Sequence, residues 1–161
     1  MYTPQSLLDI HQRAHRSLAG LLVHCGELDE SQFNRPLDGF GVETVRFQFH
    51  HILAAERYWT GVIQGRIDVQ DDEAEFPTVA SLEAFRTEVC ETMESWLRET
   101  TAEELSTLRT MMTWGDIERE LIPAHIVMRT VTHLYHHQGQ ILAMCRILGK
   151  PGPRGLDFPL D

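Results

Sequence analysis

The sequence predicts an all-α protein built as a four-helix bundle. Four long stretches place apolar residues at every third or fourth position, which is the spacing of an amphipathic helix. Few segments alternate apolar and polar residues as half-buried strands do. The 161 residues fit one domain with a core large enough to fold, so we expect residues 1–161 to form a single domain.

The first two helices are bounded by clear stop signals. The first is predicted from Pro4 to Cys25, where an apolar stripe precedes Gly26. The segment from Asp29 to Gly41 carries clustered Pro, Asn and Gly residues and is predicted as a loop. The second helix is predicted from Val42 to Gln64, with Gly65 as its stop, and an acidic connector ending at Phe76-Pro77 follows.

The second half of the chain carries two further helices. Thr78 is a suitable N-cap for a third helix that continues to about Thr100. Residues 101–122 are divided by Trp114-Gly115-Asp116, which is either the turn of a short β-hairpin or part of a long ordered loop. Pro123 suits the first turn of a fourth helix, which is predicted to end at Leu148 before a Gly- and Pro-rich tail.

Composition limits the partners. The formal net charge is -10 without a Lys/Arg stripe, which disfavours nucleic acid. No apolar run approaches the roughly 20 residues that span a bilayer, and the first residues do not resemble a signal peptide, so we expect no membrane partner. Cys25, Cys90 and Cys145 are odd in number and form no C-x-x-C pair, which predicts free thiols and a cytoplasmic location.

Histidine is the unusual residue, with nine copies, and helical spacing separates those that point inward. His51 shares its line on the second helix with Ala55 and other apolar residues, so it is predicted to face the core. His50 shares its line with Arg46 and Arg57 and is predicted to face solvent.

The fourth helix supplies a second inward group. His133 and His137 are four residues apart and share a line with Ile126 and Ile141, whereas His136 lies on a more polar line. Two histidines at this spacing can bind one ion, and an imidazole from a facing helix would complete three ligands. Imidazole ligands suit Zn, Ni, Cu, Co or Fe better than Ca or Mg.

Two other interpretations remain open from the residues alone. The three inward histidines can be core residues whose ring nitrogens are hydrogen-bonded to Gln140 or Thr130. His11 and His15, four apart on the first helix, form a competing pair that flanking charged residues place at the boundary of the core.

Two motifs resemble those of the DinB/YfiT-like superfamily. The string H-L-Y-H-H-Q-G-Q-I, from His133 to Ile141, resembles its fourth-helix motif H-x-x-x-H-x-G-Q. The string H-I-L-A-A-E-R-Y-W, from His51 to Trp59, resembles its second-helix motif, and the resemblance covers nearly the whole chain. Gln138 departs from the pattern, since many members carry Arg there and a possible anion contact of that Arg is lost.

The resemblance implies a four-helix bundle, frequent homodimers and one divalent transition metal, nickel or zinc, on His51, His133 and His137. It also implies a thiol-dependent S-transferase or isomerase that uses a low-molecular-weight thiol and a small-molecule substrate. A hydrolase with metal-activated water, or a metal-binding bundle without turnover, stays open. Tyr58, Trp59 and Gln140 lie within helical reach of the histidines and can line a pocket, or can be core packing.

Overall fold

The computed structural model describes residues 2–67 and 71–161, and four long helices form its frame. The connector predicted between the second and third helices includes residues 68–70, which lie outside the described residues. The elements in chain order are α1 (Pro4–Cys25), α2 (Glu30–Phe33), α3 (Val45–Ile63), α4 (Val79–Glu99), α5 (Ala102–Ser106), β1 (Arg109–Thr113), β2 (Ile117–Leu121) and α6 (Pro123–Ile147).

The four long helices pack as a closed ring. Helix α1 lies against α4 and α6, and α3 lies against the same two helices from the other side. Helices α1 and α3 therefore face each other across the bundle, as do α4 and α6. The predicted all-α four-helix bundle is confirmed.

The predicted hairpin before the last helix is also confirmed. Strands β1 and β2 pair antiparallel, and their register brings Thr113 opposite Ile117. The turn between them contains Gly115 at φ 66° and Asp116 at φ 57°, both in the left-handed region. Gly adopts this region without steric cost and Asp more readily than most residues, which explains why the chain reverses here.

Side-chain caps explain where the long helices begin. Thr3, Thr44 and Thr78 each accept a hydrogen bond from a backbone N–H in the first turn of the following helix. Such a cap satisfies one of the donors that a helix start leaves without a partner. Helix α6 has no side-chain cap and begins instead with Pro123, which lacks the N–H that would need one.

Two short helices lie in segments that the sequence did not assign as helical. The predicted loop from Asp29 to Gly41 contains α2, because Asp29 and Gln32 form a reciprocal capping box. Helix α5 follows α4 after Thr101, which forms a second such box with Glu104. Both helices are shorter than the span over which apolar periodicity can be recognised, so local capping is what forms them.

The core combines two apolar clusters with several fully buried polar side chains. Phe49 and Phe85 belong to one cluster, and Met93 and Leu97 belong to the other. Four of these polar side chains, on α1 and α3, are almost completely buried: His11, His15, Gln48 and Glu56. Buried polar groups require partners, so each of them marks a place where helices are specifically connected.

Over the described part of the chain, none of the helices combines the length and the apolar character that crossing a membrane requires.

Candidate metal centre

Three histidines from two adjacent helices of the bundle meet at one site. His51 lies on α3, and His133 and His137 lie one turn apart on α6. Their ring centroids are 5.0, 4.6 and 4.4 Å apart in the three pairings. One potential ligand atom from each lies within 4.8 Å of the other two, so the three side chains can hold a metal ion.

The surroundings keep these imidazoles neutral. Burial, followed by the neighbouring His51, lowers the pKa of His133 to about 4. Burial, followed by His133 and His51, lowers the pKa of His137 to about 3. Burial also lowers the pKa of His51. Neutral imidazole is the form that binds metals, so the triad is available as a ligand set at neutral pH.

A glutamine fixes the ring of His137. Oε1 of Gln48 lies 2.6 Å from Nδ1 of His137. The amide nitrogen of Gln48 donates to the carbonyl of Val42 at 2.7 Å and to Oε1 of Gln140 at 3.0 Å. Because the amide nitrogen of Gln48 is used by these two acceptors, its oxygen faces His137, and Nδ1 of His137 must donate. The free lone pair of His137 is therefore on Nε2, as a metal ligand requires.

Gln48 did not emerge from the sequence, although one signal for it was present. It precedes His51 by three residues, so it shares a helix face with a predicted ligand. Gln140, which the sequence suggested as a pocket or supporting residue, accepts from Gln48 and donates to His136. Gln140 is thus hydrogen-bonded to Gln48, which in turn is hydrogen-bonded to His137. Gln140 does not line the cleft beside the triad.

A cleft of about 380 Å³ lies beside the triad. Its walls come from α3, α6 and the hairpin turn, and its lining residues are His51, Ala54, Ala55, Tyr58, Trp59, Trp114, Arg129, Thr130 and His133. The sequence-predicted pair Tyr58 and Trp59 therefore lines the same space as two of the three histidines. The walls combine aromatic and aliphatic side chains with the polar groups of His51, His133, Arg129 and Thr130, a mixture that can bind a small molecule.

Stacked aromatic rings form one wall of this cleft, and a guanidinium group lies beside them. The rings of Tyr58 and Trp114 stack with centroids 4.0 Å apart and an interplanar angle of 2°. The backbone N–H of Trp114 also donates to the hydroxyl of Tyr58 at 2.9 Å, which attaches the hairpin turn to α3. The guanidinium of Arg129 lies 5.4 Å from the ring of Trp59, so a positive charge borders the aromatic wall.

Two predictions about the other histidines are wrong. His50, predicted on a solvent face, is only 5% exposed and lies beside the rings of Phe76 and Phe85. The connector that carries Phe76 covers this face of α3, which helical spacing within α3 alone does not reveal. His11 and His15, predicted at the boundary of the core, are 0% and 2% exposed.

The DinB family model matches residues 1–161, from the first residue of the chain to the last. The chain belongs to the DinB family. No curated protein matches the chain. Family membership agrees with the helical bundle and with the three histidines that can hold a metal ion in it.

Proposed function

We propose that this DinB family protein is a metal-dependent enzyme of the S-transferase or isomerase type. In this proposal His51, His133 and His137 hold one divalent transition metal, nickel or zinc, and a low-molecular-weight thiol is the co-substrate. The observation that carries it is the position of His51 and His133, which belong both to the ligand triad and to the lining of the cleft. A small molecule in the cleft would therefore contact the same side chains that bind the ion.

When bound, the metal would supply Lewis acidity, lowering the pKa of a coordinating thiol or water so that it becomes a nucleophile at neutral pH. The chain's own residues do the rest. Gln48 holds the ring of His137 in one tautomer. Trp59 and the stacked pair Tyr58–Trp114 present apolar surface to a substrate, and Arg129 offers a cation to a carboxylate of the thiol.

The lining of the cleft favours a thiol over water as the nucleophile. Among the described residues, no aspartate or glutamate lines the cleft. A metal-bound water usually needs a nearby base to take up protons during hydrolysis, whereas a thiol loses its proton on coordination. Hydrolysis is therefore the second candidate, and a metal-binding bundle without turnover is the third.

The same proposal extends to the setting of the enzyme. We propose a single domain over residues 1–161, a homodimer and a cytoplasmic location, as the family resemblance and the free cysteines suggest. The Sγ atoms of Cys25 and Cys145 lie 3.6 Å apart as thiols, and reducing surroundings would keep them in that form.

The test compares two adjacent histidines. Purified protein is reloaded with nickel or zinc, and conjugation of several bacterial thiols to a model electrophile is followed. We expect His137→Ala to lose the metal held by the triad and, with it, the activity. His136→Ala is the matched control, because His136 is exposed on the neighbouring line of α6 and should retain both.

Each negative result rejects a different part of the proposal. If the reloaded protein holds no metal, the triad is a set of hydrogen-bonded core histidines. If metal binds but no thiol is turned over, the enzyme proposal fails and the non-catalytic interpretation replaces it. Hydrolysis of an activated ester without thiol turnover would select the second candidate.

A further inference from the structure

A second group of potential metal ligands lies inside the bundle, separate from the triad. His11 and His15 on α1 and Cys90 on α4 each present one potential ligand atom, and these three atoms lie within 4.8 Å of one another. None of the three residues lines the cleft beside the triad. The two imidazoles are almost fully buried, so their ring nitrogens need protein groups, a buried water or a bound ion as partners.

A carboxylate on the opposite helix, α3, binds one ring nitrogen of His11 and one of His15. Glu56 on α3 places Oε1 2.6 Å from Nε2 of His11 and Oε2 2.9 Å from Nε2 of His15. Each carboxylate oxygen lies at hydrogen-bond distance from a ring nitrogen, the arrangement of two N–H donors on one ionised carboxyl group. The carboxylate is therefore ionised and accepts a hydrogen bond from each Nε2–H.

The second ring nitrogen of each histidine has no hydrogen-bond partner among the described residues. Nδ1 of His11 and Nδ1 of His15 are both buried without a hydrogen bond. In the neutral form with hydrogen on Nε2, each of these imidazoles has a lone pair on Nδ1. Both Nδ1 lone pairs are therefore buried without a donor, and a bound cation would satisfy them.

The arrangement of Glu56 also follows the pattern of metal sites. A histidine that binds a metal through one ring nitrogen almost always donates its other N–H to a carboxylate or carbonyl, which fixes the tautomer and increases the basicity of the ligand. Glu56 does this for both histidines at once.

Cys90 completes the set with a soft ligand. Its thiol donates to Glu94 at 3.4 Å, and burial together with Glu94 raises the pKa of this thiol. The nearby charges are the carboxylates of Glu56 and Glu94 and the guanidinium of Arg86, which is itself paired with Glu83. These surroundings disfavour a free thiolate but favour a cation, so the S–H bond breaks only as the S–metal bond forms, and the proton leaves to solvent.

We propose that Nδ1 of His11, Nδ1 of His15 and Sγ of Cys90 form a second, interior site for a zinc-like divalent ion, with Glu56 as the positioning residue. Two imidazoles and one thiolate are a ligand set that zinc accepts. Because the ligands come from α1 and α4 and the positioning carboxylate from α3, the ion would connect three of the four long helices.

Cobalt(II) tests this site, because only a thiolate ligand gives a sulfur-to-cobalt charge-transfer band in the near ultraviolet. We expect wild-type protein to bind two equivalents of cobalt and to show this band. His137→Ala, which removes the other site, should bind one equivalent and keep the band. Cys90→Ser should bind one equivalent and lose the band, and Cys25→Ser, the matched cysteine control, should keep it.

A second measurement leaves all three cysteines in place. Cys90 is half-buried whereas Cys25 and Cys145 are buried, so alkylation of Cys90 can be followed by mass spectrometry. Zinc should slow this alkylation, also in the His137→Ala variant. The proposal is wrong if folded wild-type protein binds one equivalent without the band, if the band persists in Cys90→Ser, or if zinc leaves alkylation of Cys90 unchanged. The cluster would then be a metal-free hydrogen-bonded network.

Discussion

Replacing Gln48 with leucine removes the acceptor that orients His137 while keeping most of the buried volume. Gln48 is 0% exposed and His137 is 7% exposed, so water cannot take the place of the lost acceptor. Nδ1–H of His137 would remain buried without a partner, and the ring could rotate or adopt the other tautomer. Both changes weaken the metal-bound state more than the free one, because the ion polarises the Nδ1–H bond.

The magnitude follows from the 2.6 Å hydrogen bond between Gln48 and His137. Leaving a buried donor unsatisfied costs about 1–3 kcal/mol. Since about 1.4 kcal/mol is a factor of ten, the affinity for zinc or nickel should fall by about 10- to 100-fold, as is usual when a supporting residue of a metal ligand is removed.

Competition titration against a chromophoric chelator measures this loss of affinity. Gln140→Leu is the matched control: it removes a glutamine that contacts Gln48 but not His137, and should bind metal nearly as tightly as wild type. A folded Gln48→Leu protein with wild-type affinity would refute the reasoning, and so would an equal loss in both variants.

Three further outcomes are expected. Burial, followed by neighbouring histidines, holds the pKa values of His133 and His137 at about 4 and about 3, below the ordinary value near 6.5. The unfolded chain therefore binds more protons than the folded one, so the free energy of unfolding of metal-free protein should fall as the pH drops from 6.5 towards 4. Urea titrations at several pH values measure this fall, which should be shallower in a variant with both histidines changed to Gln. The same pH dependence in that variant would contradict the lowered pKa values of these two residues. Tyr58→Phe removes the acceptor of the Trp114 N–H and should lower the stability by about 1 kcal/mol while accelerating hydrogen exchange at that amide; unchanged exchange would show that the hydrogen bond does not hold the turn. Phe85→Ala should cost about 3–5 kcal/mol in chemical denaturation, because the side chain is 1% exposed in the core, and a loss below 1 kcal/mol would mean that the core collapses around the gap.

The parts of the fold that depend on local spacing were predictable. The apolar stripes located the four long helices, and Gly65 and Gly149, both with positive φ, mark the ends of α3 and α6 as the sequence suggested. The short helices α2 and α5 were not found, because each is formed by a capping box and is too short to display a period.

Only the part of the candidate site that depends on residue spacing within a single helix could be predicted from the sequence. Spacing on α3 favoured His51, which lies in the triad, but it placed His50 in solvent, where Phe76 from the following connector actually covers it. Likewise, flanking charges on α1 placed His11 at a boundary, whereas its partner Glu56 comes from a helix 45 residues further along the chain. Contacts of this range follow from how the helices associate, and no pattern within one helix contains that information.

The attachment of Trp114 has a consequence for how such a protein can change. The wall that Trp114 contributes to the cleft belongs to a two-stranded hairpin, while the three histidines belong to the helical bundle. The other residues that line the cleft lie on α3 and α6, so Trp114 is the part of the wall that lies outside the helices carrying the histidines. If the cleft binds the substrate as proposed, a substitution at Trp114 would reshape one wall without replacing a residue on the two helices that carry the histidines.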